Sequence, residues 1–174
     1  MNSSQQIATS LTNMYALQKC NKKKLRYKLF TKQTNQSVIN RPLSLVPFAF
    51  IPPEYVDKQL QTIVKGDKQP EQTFKMQPHQ VLVVGCVGEL YNCTLTKKFT
   101  ALKTPSNTYI PIDEDRKCIQ VDENIYRKFV YRKKIPTPWG THHYCEIGDY
   151  LIVEKNGVYR IQKDVFKKTY KITS

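Results

Sequence analysis

A chain of 174 residues, 40% hydrophobic and 11% aromatic, carries enough apolar material for a core, which excludes a disordered composition. Its net charge of +14, from 28 Lys and Arg against 14 Asp and Glu, points to anionic partners. The longest apolar stretch, Leu43–Pro53, is broken by prolines and falls far short of the roughly 20 residues that a membrane helix needs.

The charge is uneven. Residues 1–53 hold eight basic residues and no acidic one, whereas 54–174 hold 20 and 14. Residues 4–17 put Ile7, Leu11, Met14 and Leu17 on one helical face, with Ser3 or Ser4 as the cap. Lys19–Lys32 then has seven basic residues in fourteen. Within it Leu25, Tyr27 and Leu29 alternate with Arg26 and Lys28, the pattern of a half-buried edge strand or of a basic arm. The Pro-punctuated run 39–55 reads as extended chain. A short helix is expected from near Pro53, with Val56, Leu60 and Ile63 inward, followed by a loop over 65–72.

Two later stretches, His79–Lys103 and Gly148–Ile172, share an order of events. Each has an apolar strand (81–84 and 150–153), then a glycine turn at Gly88 or at Asn156-Gly157, then a strand carrying Tyr91 or Tyr159. Phe99 and Phe166 follow, each near lysines, and 163–170 reads as a helical turn with Asp164 as cap and Val165, Phe166 and Tyr170 inward. The pattern is that of a duplicated hairpin unit, with convergent hairpins as the alternative. Between the copies lie the acidic run Asp113-Glu114-Asp115 and a strand at 117–121. A short helix capped by Asp122 then turns Ile125, Phe129 and Val130 inward; a turn at 135–140 and a strand at 141–147 complete the stretch.

The C-terminal stretch resembles a short, uncharacterised domain of phage and prophage proteins. The likeness rests on Gly148-Asp149-Tyr150-Leu151-Ile152-Val153, Gly157, Tyr159, Asp164, Phe166 and Tyr170. A fainter match covers Pro78, Val81 to Val84 and Gly88 to Cys93, and departs at His79-Gln80. The resemblance implies a hairpin-plus-helix module, and the family carries no assigned chemistry.

The stretch 141–146 is the one place where His, Cys and Glu crowd together. His142, His143 and Cys145 are the candidates for a metal or thiol site, with His79 and Cys86 or Cys93 as further ligands. In a strand His143 and Cys145 would share a face and His142 would point the other way. Surface histidines and a buried cysteine are the plainer reading. The five scattered cysteines form no dense framework, which favours reduced thiols in an intracellular compartment, with organellar (mitochondrial) or virus-associated settings compatible. The N-terminal stretch lacks the pattern of a secretory signal.

The stronger functional lead is basic residues interleaved with aromatics. Lys22, Lys23, Lys24, Arg26 and Lys28 surround Tyr27, and Arg127, Arg132, Lys133 and Lys134 surround Tyr131. Cations neutralise phosphates and aromatic rings stack on bases. The expected fold is α+β and β-rich, with two related small antiparallel β-hairpin-plus-short-helix modules (43–108 and 109–174) preceded by a basic N-terminal arm (1–42). The expected function is a non-enzymatic basic binding protein or accessory subunit, without cofactor, holding nucleic-acid phosphate or an acidic protein surface. A protein–protein scaffold with incidental charge is the alternative, and a Cys/His metal or thiol enzyme the third reading.

Overall fold

The computed structural model describes residues 3–25, 27–29, 59–62, 64, 66–75, 81–84, 90–93, 99–101, 108–112 and 114–174. In 27–29, 59–60, 81–84, 90–93, 99–101 and 108–109 it describes the backbone path. The chain separates into two compact units, Met1–Lys22 with Glu114–Ser174, and Lys23–Asp113. The first unit is therefore discontinuous, and the second enters between two of its strands.

The discontinuous unit opens with α1 (Ser3–Met14) and β1 (Gln18–Lys22). The inserted unit contributes β2 (Tyr27–Leu29), β3 (Gln59–Thr62), β4 (Gln72–Lys75), β5 (Val81–Val84), β6 (Leu90–Cys93), β7 (Phe99–Ala101) and β8 (Thr108–Pro111). The chain then returns as β9 (Arg116–Gln120), α2 (Glu123–Phe129), β10 (Lys134–Pro136) and β11 (His142–Tyr144). It ends with β12 (Tyr150–Glu154), β13 (Gly157–Ile161), α3 (Lys163–Thr169) and β14 (Tyr170–Ile172). The fold is thus mixed and β-rich, built from small antiparallel sheets, hairpins and short helices.

In the discontinuous unit one five-stranded sheet runs β13-β12-β9-β1-β14. β1, expected within a basic arm, is an interior strand paired with both β9 and β14. Strand alternation divides the sheet into two faces. Leu151, Val153 and Val158 turn to one of them and form a core with Ala8 and Leu11 of α1, Ile125 of α2, Ile135 and Cys145. Cys20, Cys118 and Ile152 turn to the other and are fully buried. There Phe166 of α3 stacks between Tyr150 and Tyr170, at centroid distances of 3.7 and 4.9 Å.

Helix α1 buries the expected stripe in part: Leu11 is fully buried, and Ile7 and Leu17 (the latter beyond the helix end) pack against the core. Ser4 and Ala8 also face inward, while Met14 is 54% exposed. Small residues on that stripe let the helix approach the outer edge of β13. The Ser4 hydroxyl donates to the Val158 carbonyl (3.0 Å) and accepts from the Val158 N–H (2.8 Å), so it ties α1 to β13 instead of capping its own helix. A second outward N–H of β13, at Arg160, is taken by His143 Nδ1 at 3.2 Å. Side chains thereby close an edge that would otherwise offer unpaired backbone groups to another chain. This approach also explains Gly157: a Cβ there would collide with Ser4 Oγ and lie 2.9 Å from Pro138 Cγ. Because Glu154 pairs with Gly157, the reversal is centred on Lys155-Asn156 rather than on Asn156-Gly157.

The helix ends follow the sequence in one case and not in the other. Asp122 caps α2 through Oδ1, which accepts from Ile125 N at 2.8 Å. At α3 the cap is the buried Gln162, whose Oε1 accepts from Asp164 N and Val165 N, and Asp164 lies inside the first turn.

The inserted unit has its own five-stranded sheet, β6-β5-β2-β8-β7, and a separate β3-β4 hairpin. β2 pairs with both β5 and β8, so the expected edge strand is interior. The expected helix after Pro53 is replaced over 59–62 by a strand, in which Leu60 pairs with Phe74; cross-strand partners outweigh a weak local helix signal. The Pro-rich run 43–53 lies outside the described residues.

Candidate functional site

Helix α2 stops at Phe129, and the chain reverses between Tyr131 and Lys134. Their backbones exchange two hydrogen bonds, each 3.0 Å long. The two central residues, Arg132 and Lys133, have φ of 50° and 61°. Positive φ at both centres marks a type I′ turn, which favours Asn-Gly because other side chains crowd the backbone there. Among the described residues these are the non-glycines with positive φ. The turn therefore carries strain of about 1 kcal/mol per residue and displays two exposed cations for it. Tyr131, 72% exposed, lies beside them, with the Arg132 guanidinium 5.2 Å from its ring centre. Replacing Arg132→Asn together with Lys133→Gly should relax the turn and raise the melting temperature by roughly 2–4 °C. Calorimetry checks this, and a fall in melting temperature would mean that the two side chains hold the turn together.

A second cationic feature comes from strand register. Lys19 of β1 stands directly opposite Lys117 of β9, and Lys171 of β14 is one diagonal step away, opposite Asn21. All three lysines are exposed on one sheet face. Like charges directly opposite each other destabilise a sheet. Asp115, which accepts from Asn21 Nδ2 at 3.5 Å, borders the strip. Sequence reasoning missed these lysines because they are far apart along the chain; only the β1–β9 and β1–β14 registers bring them together.

The other expected contacts are placed less uniformly. Lys22 is half-buried with Nζ 5.8 Å from the Tyr170 ring centre. Lys23 is half-buried and Lys24 exposed. Arg26 lies outside the described residues, and Tyr27 and Lys28 are described as backbone of β2. Lys22 belongs to the discontinuous unit and Lys23 onward to the inserted one. Arg127 is exposed but engaged with Glu123 at 2.6 Å. Lys134, exposed, begins β10 at the base of the strained turn.

No family model, curated protein or solved structure matches the chain.

The His/Cys stretch is divided between surface and interior. His142 is exposed, whereas His143 and Cys145 are buried. Among the described residues no group of three or more His, Cys, Asp or Glu is placed to hold a metal ion. His143 serves the structure instead. Its Nδ1 accepts from Arg160 N, so its proton sits on Nε2, which is buried without a hydrogen-bond partner. The Trp139 ring stands edge-on to the imidazole, 5.3 Å between centres. Burial, then the neighbouring Arg160 charge, lowers the His143 pKa to about 3.

Next to His143 lies the feature least visible in the sequence. Arg160 and Asp149 form an ion pair at 2.9 Å with side chains 0% and 2% exposed. Asp149 Oδ2 also accepts from Glu146 N, and Oδ1 from Lys163 N at the start of α3. One carboxylate thus fixes the 146–149 turn, strand β13 and helix α3. Gly148 ahead of it adopts φ 96°, which gives the Gly-Asp pair a backbone role and a charge role.

Proposed function

We propose that this chain is a non-enzymatic nucleic-acid-binding protein, an accessory module that holds single-stranded phosphate backbone on the cationic surface of its discontinuous unit. The observation that carries the reading is the Arg132-Lys133 turn, where strained backbone is kept in order to present two cations beside an exposed tyrosine. Strain retained at exposed positions marks function more often than stability. Lys134 extends the turn, and the strip of Lys19, Lys117 and Lys171 adds a second cluster able to neutralise phosphate. Tyr131 supplies a stacking face that any base satisfies. Lysine outnumbers arginine in these features, which suits attachment along a backbone rather than reading of base edges. The phage-type resemblance of 137–170 and the hairpin modules agree with a small binding body, and the reduced-thiol composition with an intracellular setting.

The test is recovery on immobilised single-stranded oligonucleotides of mixed sequence at 50 and 200 mM salt. For about five phosphate contacts the affinity should fall roughly a hundredfold between the two. Affinity that ignores salt, or capture of a protein partner that survives nuclease treatment, would replace this function with the scaffold reading.

A further inference from the structure

The two five-stranded sheets, one in each unit, can be compared strand by strand. Both begin with a hairpin at one edge, β13-β12 in one and β6-β5 in the other, and both end with the strand that follows that hairpin in sequence, β14 or β7. The third place is held by β9 or β2, and the fourth by β1 or β8. The ladders coincide residue by residue. Arg116 stands 89 residues after Tyr27, and Tyr109 stands 89 after Cys20; the pair Tyr27–Tyr109 therefore answers to the pair Arg116–Cys20. Likewise Lys28–Val84 answers to Lys117–Val153, and Leu29–Val83 to Cys118–Ile152. Val84–Leu90 answers to Val153–Val158, and Phe99–Pro111 to Tyr170–Lys22. All eleven residue pairs of the inserted unit's five-stranded sheet have a counterpart at the same place in the other.

Chain connectivity breaks the likeness in one respect. In the sheet of the discontinuous unit the fourth strand, β1, comes from the start of the chain. In the inserted sheet the fourth strand is β8, which follows the other four in sequence. Two repeats written in chain order, β1-β2-β5-β6-β7 and β8-β9-β12-β13-β14, resolve this. Each has a first strand, a second strand after a four-residue connection (23–26 and 112–115), a hairpin and a final strand. A two-stranded hairpin intervenes after the second strand in both, β3-β4 and β10-β11.

We infer that the chain is a tandem duplication whose two repeats have traded first strands: β1 of the N-terminal repeat completes the C-terminal sheet, and β8 of the C-terminal repeat completes the N-terminal one. Without exchange, Lys19 would face Lys28; with it, Lys19 faces Lys117. Registers of unrelated sheets have no reason to agree, because each is set by its own hydrophobic pattern and turns. The sequence bears a trace of a paired change as well. The positions equivalent to Asp149 and Arg160 are Gln80 and Asn92, so both charges of the buried pair are absent together from the N-terminal repeat. The same alignment sets Phe99 against Tyr170 rather than Phe166. This inference is independent of the proposed ligand; its partner is the chain's own other repeat, in the way that two copies of a domain-swapped protein are partners.

The test uses the full chain. Equal amounts of normal and nitrogen-15-labelled protein are unfolded together, refolded, treated with a short amine-reactive cross-linker and mapped by mass spectrometry. A Lys19–Lys117 link with both ends of one isotope supports the inference. A Lys19–Lys28 link would overturn the exchange, and a Lys19–Lys117 link of mixed isotopes would overturn its placement within one chain. A second readout holds if no link forms. Asn21→Pro removes a donor from β1 and should speed amide hydrogen exchange at least tenfold over 116–120 and 170–172, while 27–29 and 99–101 keep their protection. The reverse distribution would contradict the exchange. If Asn21→Pro fails to fold, Lys22→Pro at the end of β1 gives the same comparison more gently.

Discussion

Asp149→Ala should lower the unfolding free energy by about 3–5 kcal/mol, the cost of leaving one member of a buried ion pair without its partner. The Arg160 guanidinium is fully buried with its Nε 2.9 Å from Asp149, so truncation strands a cation where water cannot reach it. The backbone N–H groups of Glu146 and Lys163 lose their acceptors at the same time. Asp149→Asn keeps a carbonyl oxygen for one of these and should cost distinctly less. Urea unfolding of the three proteins at pH 7 measures the difference. A loss below about 1 kcal/mol for Asp149→Ala would show that the carboxylate does not organise this end of the fold.

Acid should weaken the protein through His143. Its folded-state pKa of about 3 lies below the 6.5 of an exposed imidazole, because burial and Arg160 oppose a second positive charge. The unfolded chain therefore binds the proton more readily. Stability from this group is complete above pH 6.5 and is lost as the pH falls toward 3, the loss reaching about 3 kcal/mol by pH 4. Protonation would also remove the Nδ1 lone pair that accepts the Arg160 N–H. His143→Asn retains an acceptor but has nothing to titrate there. Its urea midpoint should vary less between pH 7 and pH 4 than that of the wild type. Equal acid sensitivity in the two proteins would assign the effect to carboxylates elsewhere.

Local signals in the sequence are legible where one residue decides the outcome. Asp122 announces α2, short apolar runs announce β5 and β12, the stretch 117–121 announces β9, and strand alternation separates exposed His142 from buried His143. Pairing is what local reading could not supply. β1 looks like part of a cationic arm because it contains Lys19 and Lys22 and runs into Lys23, yet it is paired on both sides and Cys20 is fully buried. Leu60 sits in a helical pattern until β4 offers a partner. The Asn156-Gly157 dipeptide suggests a turn, but the glycine is there for the close approach of Ser4. The cationic run 131–134 was visible as composition; its strained turn follows from the end of α2 at Phe129 and the pairing of β10 with β11. The lysine strip follows from the register of three strands that lie far apart along the chain.

The turn is the place to test the functional reading, because there stability and binding should move in opposite directions. Affinity for a single-stranded oligonucleotide is measured across a series of salt concentrations for the wild type and for the Arg132→Asn, Lys133→Gly variant. Loss of two phosphate contacts should reduce the slope of log K against log salt by roughly 1.4 while the variant melts higher than the wild type. An unchanged slope in a folded variant would remove the turn from the interface and contradict the proposed function.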